Sequence, residues 1–354
     1  MRNNHEIQTR IRLLDEKGRL NEPGYTKGLL MDYRRSDIKA AGYRIKEWDY
    51  YLIATHDYAV ALTVADNSYM GLDSISLLDF RTGWEHTNSP MQVFTFGKKN
   101  LPAGSDAGDV KSAGKNYSIE YKHNGDHRDL FFYMTGFDGD KHIEGELRLE
   151  NPEQESMVIV TPYKEDPKAF YYNQKINCMK ASGTVKFGDE VYDFDRPDAY
   201  GVLDWGRGVW TKVNTWYWGS ASGAVDGVPF GWNIGYGFGD TSAASENMLF
   251  YNGKAHKLGE ISFNIPGDGN PDMGPHGMNG VRFMEPWTFS SDDGRFEMNF
   301  TPVLDRSSCT DVKVICSDQH QVFGYFSGTA VLDDGTKIQV DDFLGFAEKV
   351  YNKW

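Results

Sequence analysis

Cysteine is scarce: Cys178, Cys309 and Cys316 are the whole complement, an odd number too small for a disulfide framework. They have no CxxC spacing, so all three read as buried or inert thiols. Positive charge is short as well. Lys and Arg number 37 against 51 Asp and Glu, a formal net charge of −14, and a field of that sign repels nucleic acid. No run of about 18 apolar residues exists to span a membrane. The opening Met1-Arg2-Asn3-Asn4-His5 lacks the apolar segment of a signal peptide. These absences predict a cytoplasmic protein with neither nucleic acid nor a membrane span among its partners.

Long helical stripes of Ala, Leu, Glu and Lys are missing too, while aromatics reach 14% and glycines number 38. Rings fill pleated faces and glycine serves turns and bulges, so the composition predicts an all-β chain. Its turns parse the second half. Asp226-Gly227, Asn252-Gly253, Asp293-Gly294 and Asp334-Gly335 each separate two apolar or alternating runs, the strongest short signal for a hairpin. With a further strand near Asp311 to Ser317, this gives eight or nine antiparallel strands, enough for an up-and-down barrel of lipocalin size. The first half reads similarly, with strands from Trp48 to Thr161 and another turn at Asn124-Gly125. The expected architecture is therefore two lipocalin-like antiparallel β-barrel domains in tandem, residues 1–200 and 201–354. Lys99 to Lys115 reads as a surface loop, and Pro266 to Pro275 as a second loop that either covers a site or decorates an edge.

The densest segment lies between Tyr200 and Asp240. Four of nine tryptophans, Trp205, Trp210, Trp216 and Trp218, fall within 14 residues. On a strand, Trp216, Trp218 and Ser220 share one face, and Tyr217 and Gly219 the other. Such a face is either a barrel core or the aromatic wall of a pocket. Asp204 and Arg207, three apart around Gly206, either pair to pin a turn or act as a proton carrier and an oxyanion holder.

The strings DWGRGVW (204–210), WYWGSASG (216–223), NIGYGFGD (233–240), VFGYFSGTAVLDDG (322–335) and DFLGFAE (342–348), with RIKEWDYY (44–51), resemble the bacterial domain-of-unknown-function family 2804. That family resembles, more distantly, the carotenoid-hydratase-like superfamily of paired lipocalin-like β domains, which includes hydratases, cyclases and lipid-binding proteins. The resemblance implies a ligand site in or between the barrels and reactions without a redox cofactor. Leu203-Asp204-Trp205-Gly206 resembles a Trp-Asp segment of those relatives. Gly345-Phe346-Ala347-Glu348 resembles their closing Gly-Tyr-x-Glu, departing by Phe346 for Tyr.

Three functions compete. The first is a cofactor-independent lyase, hydratase, isomerase or cyclase acting on a hydrophobic or cyclic small molecule. Its catalytic candidates are Asp204, Arg207 and Glu348, the two carboxylates meeting near the guanidinium. Its binding candidates are Trp205, Trp210, Asn214, Trp216, Tyr217, Trp218 and Asn233, with Trp48 and Tyr51 as further walls. The second is a non-catalytic lipid or small-molecule binder, and the third a carbohydrate-active enzyme. Asp204 separates the first two: buried, with a shifted pKa, and facing a cavity it favours catalysis, locked in a bidentate pair with Arg207 away from any cavity it favours binding or structure. No metal is expected, since His123 and His127 flank a turn rather than a helical face.

Overall fold

The computed structural model describes residues 4–311 and 315–354, and nearly all of its regular structure is strand. Among the described residues, helix is confined to the single turns Arg35–Asp37 and Gly42–Arg44. None is long and apolar enough to cross a membrane. Two large antiparallel sheets hold the chain, one of 14 strands and one of nine.

The second sheet follows the turns. Val213–Val225 pairs with Val228–Tyr236 around Asp226-Gly227, and Met248–Tyr251 with Lys254–Lys257 around Asn252-Gly253. In both turns the two central residues have positive φ, between 49° and 79°, which a type I′ hairpin requires. At Asp293-Gly294 and Asp334-Gly335 only the glycine is positive, so those hairpins close through longer loops. The strand expected over Asp311 to Ser317 lies partly outside the described residues. Its ends belong to two strands, Phe296–Asp311 and Cys316–Val331, paired antiparallel. Lys337–Lys353 then returns to pair with both Cys316–Val331 and Val213–Val225 at the middle of the sheet.

In the first sheet, Tyr200–Val209 lies between Ile45–Ala54 and Asp166–Phe187. The chain changes sheets at residues 210–212. Asp166–Phe187 is 22 residues long and kinks at a bulge between Ile176 and Met179. There Cys178 takes φ 61°, and the bulge reaches the other sheet. Asn177 Nδ2 donates to Ser220 Oγ at 2.8 Å and to the Trp232 carbonyl at 3.1 Å. Cys178 itself is buried, and burial lifts its thiol to about 12.

Each central strand has two different faces, because successive side chains alternate. Tyr51, Ile53, Leu203, Trp205 and Val209 fill the core enclosed by the first sheet. Trp232, Ile234, Phe289 and Phe326 fill that of the second. The opposite faces pack the sheets on one another: Tyr50, Leu52 and Val202 meet Trp218, Phe323 and Phe346. The 99–115 segment is no mere surface loop. Pro102 offers its carbonyl to Arg207 and Ser105 bonds the buried Gln174 amide, so the segment plugs the first body. The 266–275 loop is likewise tied down, with Asp268 accepting from Tyr217 Oη and Lys349 Nζ, both at 2.7 Å.

Candidate functional site

Where the outer faces of the sheets diverge, they leave a cavity of about 270 Å³. Trp48, Tyr50, Tyr171 and Asp204 line it from the first sheet, and Trp216, Trp218 and Glu348 from the second. Trp210 and Phe238 join them from beyond two strand ends. Trp210, Trp216 and Phe238 form one aromatic cluster, with ring centroids 4.7–5.9 Å apart. The Trp210 indole nitrogen is buried and has no protein partner, which leaves one donor beside an otherwise apolar wall.

The polar groups gather opposite these rings. Lys175 and Asp204 are register partners on neighbouring strands, and Lys175 Nζ stands 2.8 Å from Asp204 Oδ1. The same oxygen accepts from Asn173 Nδ2 at 2.6 Å. The Lys175 ammonium also lies 3.7 Å from the centre of the Trp218 ring, the close, desolvated geometry in which a cation–π contact is strongest. Trp218 is held in turn by Asn233, which accepts its indole N–H at 2.7 Å and donates to the Glu246 carbonyl.

Glu348 is the perturbed acid. Burial lifts its carboxyl to about 7, against the N–H of Trp216 and the nearby charges of Lys175 and Arg306, while Asp204 pushes it up further. Its Oε1 accepts from Trp216 Nε1 at 2.9 Å and its Oε2 from Gln321 Nε2 at 3.0 Å. Both groups are donors, so neither can accept the proton of the neutral acid. Glu246, also on the cavity wall, has its carboxyl raised by complete burial. Lys175 thus pairs directly with Asp204 and lies near enough to Glu246 and Glu348 for its charge to oppose the rise that burial gives those two carboxyls.

Several expected residues lie elsewhere. Arg207 is not in the cavity and does not meet Asp204. Three residues apart on one strand, the two side chains emerge on opposite faces. Its guanidinium is fully buried in the first body, 3.0 Å from Asp49 Oδ1 and bonded to the Trp48 and Pro102 carbonyls. Trp205 shares that face, with Arg207 over its ring at 4.4 Å, and so does Tyr51, edge-on to Tyr121. Tyr217 points into the second body against Tyr236 and Phe263. Asn214 closes the turn between sheets by bonding Thr211. Asn233 supports Trp218 from behind. What remains in the cavity is Asp204, Glu348, Trp210, Trp216, Trp218 and Trp48. Lys175, Glu246, Gln321 and Arg306 join them without having been singled out. A signal existed for Lys175, since Tyr171, Asn173 and Lys175 alternate along one strand face. Glu246 sits in an irregular segment with no periodicity to mark it.

The model of the family described as Domain of unknown function (DUF2804) matches residues 4–354. The chain belongs to this family. No curated protein matches its sequence. Among solved structures, kievitone hydratase from Nectria haematococca is similar at a TM-score of 0.52 and 13% identity, over 87% of this chain and 88% of that one. CghA with Sch210972 is similar at a TM-score of 0.47 and 9% identity, over 88% and 89%. At such identities the likeness to kievitone hydratase is one of fold alone, a tandem of lipocalin-like antiparallel β bodies.

Proposed function

We propose that the cavity between the sheets binds a hydrophobic or cyclic small molecule and catalyses a proton-transfer reaction on it without a redox cofactor, of the hydratase, lyase, isomerase or cyclase kind. One observation carries this: Glu348, a buried carboxyl lifted to about 7, faces an aromatic cavity with its two oxygens held only by donors. Near neutral pH such a group is shared between acid and carboxylate, the state in which it can both give and take a proton. The proton of its neutral form has the cavity as its outlet. Lys175, fixed between Asp204 and the Trp218 ring, is positioned to hold negative charge developing on a ligand oxygen. Trp216, Trp210 and Phe238 would set the orientation of an apolar or ring-containing ligand. The shared fold with kievitone hydratase agrees with this chemistry but does not carry it.

A carrier is the second candidate, favoured by the engagement of Asp204 with Asn173 and Lys175 rather than with the open cavity. The test separates them. Wild type and Glu348→Gln are incubated with a lipophilic extract of the source cells, desalted and examined by native mass spectrometry. Catalysis predicts a molecule that accumulates unchanged on Glu348→Gln and leaves the wild type altered in mass or chromatographic retention. Equal retention of one unchanged molecule by both forms would establish a carrier and end the enzymatic proposal.

A further inference from the structure

On the opposite face of the strand that turns Ser317 and Gln319 to the cavity, a second group of reactive side chains gathers where the 266–286 segment meets the hairpin of Phe296–Asp311 and Cys316–Val331. Cys309 is paired with Asp318, and Asp311 with Cys316. His276 arrives from the loop. Its Nε2 lies 3.3 Å from Cys316 Sγ and 3.6 Å from Asp311 Oδ2. Its Nδ1 lies 3.0 Å from Asp318 Oδ2. The imidazole also stacks on Tyr351, centroids 5.0 Å apart and planes 15° from parallel. Ligand atoms of His276, Cys309 and Asp318 lie within 4.8 Å of one another, as do those of His276, Asp311 and Cys316.

We propose that His276 Nε2, Cys316 Sγ and Asp311 Oδ2 bind one Zn²⁺ ion, with a solvent molecule completing the coordination. Bonds of about 2.0–2.3 Å to a tetrahedral zinc put its ligand atoms roughly 3.3–3.8 Å apart, and the two separations measured at Nε2 fall in that range. Asp318 holds the other ring nitrogen. A carboxylate there fixes the tautomer, leaves Nε2 free to ligate and orients the ring. A donor set of sulfur, nitrogen and oxygen selects zinc over magnesium or calcium, which take oxygen alone. The carboxylates of Asp311 and Asp318 crowd the Cys316 thiol, and a dication relieves that crowding as the thiol releases its proton. The consequence is mechanical. The ion would staple the 266–286 segment to the hairpin, reinforcing its existing ties through Lys349 to Asp268 and to the Gly277 carbonyl.

The test uses the full chain, reduced and stripped with a chelator, then titrated with Zn²⁺ against a chromophoric competitor and separately with Co²⁺. The expected result is one equivalent of Zn²⁺, and a thiolate-to-cobalt charge-transfer band that disappears in Cys316→Ser. His276→Ala and Asp311→Asn lose stoichiometric binding, and Asp318→Asn weakens it about 10–100-fold. Asp311 is exposed, so Asp311→Asn keeps the test valid if Cys316→Ser fails to fold. Circular dichroism checks each variant. Absence of Zn²⁺ binding by the folded, reduced wild type would overturn the proposal. So would an unchanged affinity in both His276→Ala and Asp311→Asn.

Discussion

Trp216 donates its indole N–H to Glu348 Oε1 at 2.9 Å, across a pair of strands in which Trp218, not Trp216, is the register partner of Glu348. The bond is therefore diagonal, and the indole both walls the cavity and stabilises the carboxylate form. Trp216→Phe keeps the wall and removes the donor. The Glu348 titration is expected to move upward from about 7 by on the order of one unit. Infrared difference spectroscopy of the protonated carboxyl against pH measures it. A midpoint that stays put would show that the hydrogen bond does not govern this acid.

Glu348 also makes stability depend on pH. Its folded value near 7 exceeds the ordinary 4.5, so the native state holds a proton that the unfolded chain has already lost. That contribution is complete below about 4.5 and vanishes as pH rises through 7. Glu348→Gln, neutral at every pH, should be more stable than wild type at pH 8.5 by about 1–3 kcal/mol, and the difference should shrink towards pH 4. Paired thermal melts across that range check the sign. A variant less stable at pH 8.5 would contradict the burial argument.

Gly206 lies beneath the Trp48 indole, and a Cβ there would come within 2.0 Å of Trp48 Cζ2. Gly206→Ala must push Trp48 into the cavity it lines, at a cost of about 1–3 kcal/mol. Lower melting temperature and weaker uptake of an apolar fluorescent probe should appear together. Melting at the wild-type temperature would mean that the indole moves aside freely.

Arg207 serves the core instead of the cavity. Removing its guanidinium strands Asp49 as a buried, unpaired carboxylate, so Arg207→Ala should cost about 3–5 kcal/mol in urea unfolding. In the folded variant the Glu348 titration should be unmoved, which distinguishes a structural arginine from a participant in the site.

Much of the fold was legible in the sequence because turns have local chemistry. The Asp-Gly and Asn-Gly pairs mark four hairpins of the second sheet. Asp166–Phe187 escaped notice: Pro167 and a polar run hide its strand character, and its order comes from partners distant in sequence. The expected boundary near 200 stands about ten residues before the chain changes sheets, since the motif 201–209 is itself a strand of the first sheet. Within the site, alternation separated Trp216 and Trp218 from Tyr217 correctly. Asp204 and Arg207 were linked by nearness in sequence, whereas strand parity sends them to opposite faces. The true partner of Asp204, Lys175, lies 29 positions earlier; alternation can mark its face, but strand register alone sets the pairing. The nearness of Cys309, Cys316 and His276 was hidden for the same reason. The hairpin that aligns the two cysteines, and the loop that brings His276, are tertiary facts.

The two-faced strands of the cavity wall have a consequence for how such a protein can change. Along 200–209, residues 202 and 204 meet the other sheet or the cavity, while 203, 205, 207 and 209 hold the interior of the first body. Selection for a different ligand can therefore act on one set of alternate codons while selection for folding preserves the other. A diversity library confined to the cavity-facing parity of these strands should yield many folded variants with altered ligand preference, and one confined to the opposite parity should yield few that fold at all.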